Sequence, residues 1–301
     1  MAQALATSVI GLGSMGWGAA LSLLRAGIMV HGVDIRPDVL EQLAASGGVG
    51  HATAASAAAQ SDVILVFVVN AAQAEQVLFG PGGAVAAARP GTTFLLCVTM
   101  PPAAAIALGQ RLADAGMLSI DAPVSGGAAK ALAGQMTLMA SGAPAAFAAA
   151  APVIAAISAH VFRLGDVPGP GSQVKMINQL LAGVHIAAMG EAMALAAGIG
   201  LDLATVHQVI TASAGNSWMF ENRGAHVVAG DYSPRSAVDI FVKDLGIVAE
   251  AAGEVTMPTP LTRAALALFH EAADAGMGRQ DDAAVAKVLA RKGGIRLPGD
   301  V

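Results

Sequence analysis

The chain has 301 residues, 55% of them hydrophobic and only 12% charged, with a net charge of −5 at pH 7. The acidic balance argues against nucleic acid or an anionic membrane surface as partner, and the single cysteine excludes an intrachain disulfide. A chain of this length suggests two domains, and so much apolar surface with so few charges predicts burial between subunits, in a homodimer or homotetramer.

Val9-Ile10 opens a strand that runs through Gly11-Leu12-Gly13-Ser14-Met15-Gly16 into the apolar helix around Ala19-Ala20-Leu21-Ser22-Leu23-Leu24. Strand, glycine turn and helix in this order present unpaired N–H groups and a partial positive charge to a phosphate. Gly27 closes the helix, and a second apolar strand over residues 28–33 ends on Asp34. An acidic residue about 20 positions past such a loop accepts the ribose hydroxyls of NAD and repels the extra phosphate of NADP. Arg36 is within reach of a 2′-phosphate. The alternative, a glycine-rich turn with a solvated Asp34, is open in a chain with 36 glycines, but the full strand–loop–helix–strand–acid context favours the dinucleotide.

Residues 63–69 form a continuous apolar, β-branched run ending at Asn70, as expected of a central parallel strand. Residues 93–97 are another, ending at Thr99, with Pro101-Pro102 stopping it before a helix over 103–115. Cys97 closes an apolar run and reads as a buried structural thiol. Short strands at 118–121, 135–140 and 160–162 complete the set. The pattern is a Rossmann-type α/β domain, a doubly wound parallel sheet. Ligands bind beyond the carboxyl ends of such strands, where the glycine loop, Asp34, Asn70 and Thr99 all fall.

The breaker-rich stretch Gly165-Asp166-Val167-Pro168-Gly169-Pro170-Gly171 marks a boundary between residues 1–165, the NAD-binding domain, and residues 166–301. The second half is all-α, entered through a long interdomain helix over 172–198. Further helices are expected over 202–212, 236–253, 260–275 and 281–291, with Asp202 and Asp281 as N-caps. The tail from Gly293 looks loose. Residues 143–162 and 180–201 approach the length of a membrane span. Pro144 and Pro152 in the first, and His185 and Glu191 in the second, make both core helices. The opening residues lack a charged n-region and long h-region, so the chain reads as cytoplasmic. No Cys/His cluster has metal-ligand spacing, and no metal is expected.

Four segments carry polar residues suited to chemistry. Lys175 and Asn178 share a face of the long apolar helix. An amine there, if buried, favours its neutral form and can exchange a proton with a substrate hydroxyl that Asn178 holds; a snorkelling helix-end lysine is the alternative. Ser125-Gly126-Gly127, after a strand ending at Asp121, offers a hydroxyl and successive N–H groups to a carboxylate, or is a plain connection. Lys243 has i,i+4 spacing to Asp239, the pattern of a surface helix pair. Trp218, within Asn216-Ser217-Trp218-Met219-Phe220-Glu221-Asn222-Arg223, walls a polar pocket with Arg223 or packs in the core. His185 reads as a core histidine.

Together Gly11-Leu12-Gly13-Ser14-Met15-Gly16, Asp121-Ala122-Pro123-Val124-Ser125-Gly126-Gly127, Gly171-Ser172-Gln173-Val174-Lys175-Met176-Ile177-Asn178 and Lys243-Asp244-Leu245-Gly246 resemble the β-hydroxyacid dehydrogenase family, from Val9 to about Arg291. That family includes 3-hydroxyisobutyrate and tartronate semialdehyde enzymes. The resemblance implies NAD-dependent oxidation of a small hydroxy acid; the stretches 179–188, 215–223 and 232–239 are similar to those members that oxidise a four-carbon sugar acid at C2. 3-Hydroxyisobutyrate or glycerate is the alternative substrate, and a non-catalytic NAD-binding protein the alternative class. It also implies Lys175 as the catalytic lysine with Asn178 beside it. Ser125, Gly126, Gly127 and Trp218 hold substrate. The glycine loop, Asp34, Asn70, Thr99 and Lys243 border the cofactor.

Overall fold

Short β-branched runs alternating with apolar helices build a sheet covered on both faces over the first half of the chain. The computed structural model describes residues 5–300, in two units that divide after Lys175. The first unit runs β1 (Ala6–Ile10), α1 (Ser14–Arg25), β2 (Met29–Val33), α2 (Pro37–Ala45), β3 (Val49–His51), α3 (Ala54–Ala58), β4 (Val63–Val66), α4 (Ala71–Phe79), β5 (Thr93–Leu96) and α5 (Pro102–Asp114). It continues with β6 (Leu118–Asp121), β7 (Val124–Ser125), α6 (Gly127–Leu132), β8 (Met136–Gly142), α7 (Pro144–Ile157) and β9 (Ser158–Arg163).

Strand order is β3-β2-β1-β4-β5-β6-β8-β7, with β9 paired to β8. From β3 to β6 every pairing is parallel, in registers such as Val9↔Gly32, Val9↔Leu65 and Leu96↔Asp121. The carboxyl ends of β1, β4, β5 and β6 therefore lie along one edge. The all-parallel expectation fails beyond β6: β8 is antiparallel to both β6 and β7. Between β6 and β8 the chain makes only β7 and the six-residue α6, and it turns back instead of completing the crossover that a parallel return needs. Two apolar clusters fill the two faces of the sheet. One holds Val9, Leu65, Leu95, Ile120 and Phe147, and the other Ile10, Ile64, Val66, Phe94 and Leu96. The free thiol of Cys97 is buried there, and burial pushes its pKa up, against any nucleophilic role.

Helix α8 (Pro170–Gly198) begins in the first unit and continues into the second. The second unit adds α9 (Leu203–Thr211), α10 (Trp218–Ala229), α11 (Val238–Glu254), α12 (Pro260–Ala272) and α13 (Val285–Lys292) around a core of Ile186, Met193, Phe241, Leu245, Phe269 and Val285. Asp202 caps α9 through Thr205 N, and Asp281 accepts from Ala283 N at the 3₁₀ turn before α13. The tail is packed, not loose: Leu297 is buried and Arg291 pairs with Asp300 at 2.6 Å.

Candidate active site

The glycine loop joins β1 to α1 under two constraints of its own chain. Gly11 has φ +91°, and a Cβ there would sit 2.8 Å from the Phe67 carbonyl oxygen. A Cβ on Gly16 would collide with the Gly11 carbonyl. Gly13 is different: a Cβ would meet nothing within 4 Å. The fold does not need glycine at 13, so the space it leaves open suits a group from outside the chain. Gly13 is also the N-cap of α1, which has no side-chain cap and no acidic residue in its first turn. Uncapped N–H groups facing open space fit a pyrophosphate.

Asp34 stands just past β2 and binds the loop directly: its Oδ2 accepts from Leu12 N at 2.8 Å. Arg36 closes over it, with Nε 2.9 Å from Oδ1 and Nη2 3.1 Å from Oδ2. Burial works against the Asp34 charge, but the Arg36 guanidinium and the N–H groups of Arg36 and Leu12 outweigh it and hold the carboxyl below its usual range. An ionised acceptor at this point fits the ribose of NAD. Asn70 caps α4, its Oδ1 accepting from Gln73 N at 2.9 Å, and Thr99 follows β5.

Ser125 ends β7 in register with Thr137 of β8. Gly126 (φ +129°) and Gly127 (φ +71°) follow, both in conformations that L side chains avoid. A turn of this kind suits a carboxylate nest. The strand before it ends on Asp121, which is fully buried. Asp121 Oδ2 accepts from Gly169 N at 3.0 Å and Ser172 N at 2.8 Å, and Oδ1 accepts from Ser172 Oγ at 2.7 Å. One turn further along α8 is Lys175, 7% exposed.

In the second unit the structure joins two of the expected residues through two others. Asn178 Nδ2 donates to Gln179 Oε1 at 3.0 Å, Gln179 Nε2 to Asp244 Oδ2 at 2.5 Å, and Lys243 Nζ to Asp244 Oδ1 at 2.5 Å. Gln179 and Asp244 are buried. Neither was given a role from the sequence; a second amide directly after Asn178, among the apolar residues of α8, was the signal for Gln179. Trp218 opens α10, is 47% exposed, and stands outside that chain of hydrogen bonds. Arg223 does not wall a pocket. It is buried, with Nε 2.5 Å and Nη2 3.1 Å from the carboxylate of Asp282, because a buried guanidinium needs a matched anion.

Residues 6–165 match the family model of the NAD binding domain of 6-phosphogluconate dehydrogenase. Residues 169–289 match that of the NAD-binding domain of NADP-dependent 3-hydroxyisobutyrate dehydrogenase. An L-threonate dehydrogenase of Cupriavidus necator is 55% identical over 97% of each chain. One from Escherichia coli K12 is 51% identical over 97% of this chain and 96% of its own. A crystal structure of 3-hydroxyisobutyrate dehydrogenase from Salmonella typhimurium superposes with a TM-score of 0.91 at 50% identity, covering 94% of this chain and 99% of that one. With both halves matched, the glycine loop joining β1 to α1 and Lys175 buried early in α8, the chain belongs to the β-hydroxyacid dehydrogenase family of NAD-dependent enzymes.

Proposed function

We propose that this chain oxidises L-threonate at C2 to 2-dehydro-L-erythronate, with Lys175 as general acid and base. The observation that carries the substrate is the near-full-length identity, 48–55%, to five L-threonate dehydrogenases, against 33% to a 2-(hydroxymethyl)glutarate dehydrogenase and 29% to a 2-hydroxy-3-oxopropionate reductase; the Salmonella typhimurium structure at 50% bears the name 3-hydroxyisobutyrate dehydrogenase and keeps that acid as the alternative. Residues 1–165 bind the cofactor and residues 166–301 serve substrate binding and assembly. The loop Gly11–Gly16 takes the pyrophosphate, Asp34 the ribose, and Asn70, Thr99 and Lys243 border the rest. When bound, NAD supplies the hydride acceptor. Ser125, Gly126 and Gly127 hold the substrate carboxylate, and Trp218 adds an apolar wall. Asn178 orients the C2 hydroxyl, and Lys175, as the unprotonated amine, takes its proton as the C2–H bond breaks, returning it in the reverse direction. The buried position of Lys175 supports that role, and the apolar composition supports a homo-oligomer.

The test is a panel of L-threonate, D-threonate, D-erythronate, glycerate and 3-hydroxyisobutyrate with NAD and with NADP, read by NADH or NADPH formation. L-Threonate with NAD gives the highest kcat/KM. Lys175→Ala lowers kcat by roughly 10²–10⁴-fold with NADH affinity retained. Faster turnover of 3-hydroxyisobutyrate overturns the substrate, and near-normal kcat in Lys175→Ala overturns the role of the lysine.

A further inference from the structure

The amino terminus of α8 leaves the usual orphan N–H groups to be satisfied, and each can be traced. Pro170 has none. Gly171 N donates to Ser141 Oγ at 3.0 Å, Ser172 N to Asp121 Oδ2 at 2.8 Å, and Gln173 N to the Gly169 carbonyl at 2.9 Å. Most helices take a cap from the residue just before them. Here the cap is a carboxylate 51 residues upstream, at the end of a strand. Ser141, on β8 and paired with Asp121 across the ladder, completes it from 3.5 Å.

The Asp121 carboxylate accepts from the N–H groups of Gly169 and Ser172 and from the hydroxyls of Ser172 and Ser141. That set fits an ionised carboxylate even though burial, the largest influence, raises its pKa. There is little slack: a Cβ on Gly171 would come within 2.5 Å of the Met139 carbonyl oxygen and 2.6 Å of that of Asp121. Ser172, which gives Asp121 both its N–H and its hydroxyl, lies three residues before Lys175, on the same helix face. Beyond Asp121 the chain runs directly into Ser125-Gly126-Gly127, and on β5 its ladder partner Leu96 leads to Thr99.

We propose that Asp121 is a positioning residue for Lys175: through Ser172 it locks the first turn of α8 to the end of β6, so that the amine is held in the same rigid frame as the carboxylate nest. The proposal rests on the assignment of Lys175 as proton carrier. A general base displaced by a fraction of an ångström loses rate without losing ligand affinity, so the signature is a fall in kcat at constant KM.

The experiment compares Asp121→Asn, Ser172→Ala, Ser172→Thr and Lys175→Ala with the wild type in steady-state kinetics, together with NADH binding and thermal unfolding. Asp121→Asn is expected to lower kcat by roughly 10–100-fold, with KM for NAD and for hydroxy acid within about twofold and NADH affinity unchanged. Ser172→Ala gives a smaller fall of the same kind, and Ser172→Thr, which keeps the hydroxyl, restores it. Asp121→Asn with wild-type kcat, or with Tm lowered and kcat untouched, overturns the proposal. If Asp121→Asn does not fold, Ser172→Ala with wild-type kcat overturns it equally. Near-normal turnover in Lys175→Ala would instead remove the catalytic assignment beneath it, and the two failures are distinguishable.

Discussion

The three glycines of the first loop do different physical work, and substitution separates them. Gly11 and Gly16 are required by the chain itself, through the Phe67 and Gly11 carbonyls, whereas Gly13 borders open space. Gly16→Ala should therefore cost stability, on the order of the 1–3 kcal/mol seen for overpacking. Gly13→Ala should unfold at the wild-type temperature yet bind NADH at least tenfold more weakly, because the new methyl occupies the dinucleotide's approach. Calorimetry with and without NADH measures both; equal behaviour of the two variants would refute the distinction. A second residue-scale feature is the pair His31 and His51, on adjacent strands, with Nδ1 and Nε2 2.9 Å apart. Burial lowers both pKa values, and for His31 the neighbouring imidazolium adds to it. Folded-state pKa values below the ordinary 6.5 mean that the unfolded chain takes up protons first as pH falls. Stability is unaffected above pH 6.5 and declines below it until the folded pair titrates. As pH falls below 6.5 the Tm of the wild type should drop more steeply than that of His51→Gln, and parallel curves would show that the pair does not contribute.

Among the elements, α10 shows what a sequence conceals. No helix was expected over Trp218–Ala229, because its inward positions are the polar Arg223, Gly224 and His226 along with Phe220 and Val227. Periodicity reads such residues as solvated. Their partners are elsewhere in the chain: Arg223 with Asp282 at 2.5 Å and His226 Nδ1 with Asp281 at 2.9 Å, on a segment more than fifty residues away. The same reason hid the cap of α8 and the link from Asn178 to Lys243: each is completed by a carboxylate that only the fold brings near. β3 and β7, three and two residues long, are too short to show alternation. The strands around the glycine loop and the long helices were legible, since local apolar pattern and turn chemistry specify them. Burial pushes the Asp282 carboxyl up to about 6, against the opposing pull of Arg223. Asp282→Asn leaves the buried guanidinium with only Asp281, 4.0 Å from its Nε, as counter-charge and should cost up to about 3–5 kcal/mol, or roughly 10 °C in Tm. A change under 2 °C in calorimetry would show that the pair is not needed to hold α10.

At the scale of the whole molecule, the excess of apolar residues has a location. Helix α8 is long and apolar enough to cross a membrane, yet half of its most apolar stretch is buried inside the protein. One face carries Lys175, Gln179, Ala182, Ile186 and Met193, all buried. At 100° per residue, Val174, Ile177, Leu181 and Leu195 fall on the opposite side, and they are exposed, Leu195 to 63%. Glu191 and Asn178 on its flanks argue against lipid as the cover, since a spanning helix seldom tolerates them. A stripe of this kind left in water is unfavourable by roughly 25 cal/mol per Å², and a second copy across a two-fold axis would cover it with the same stripe. We therefore expect the enzyme to be at least dimeric in solution. The double variant Leu181→Lys and Leu195→Lys should shift it toward the monomer in light scattering, because like charges are then placed on both sides of an isologous contact. Leu195 lies about 30 Å along the axis from Lys175, so NADH binding by the dissociated chain reports whether its fold is intact. A wild-type chain that scatters as a monomer would refute the contact, as would a double variant that remains fully assembled.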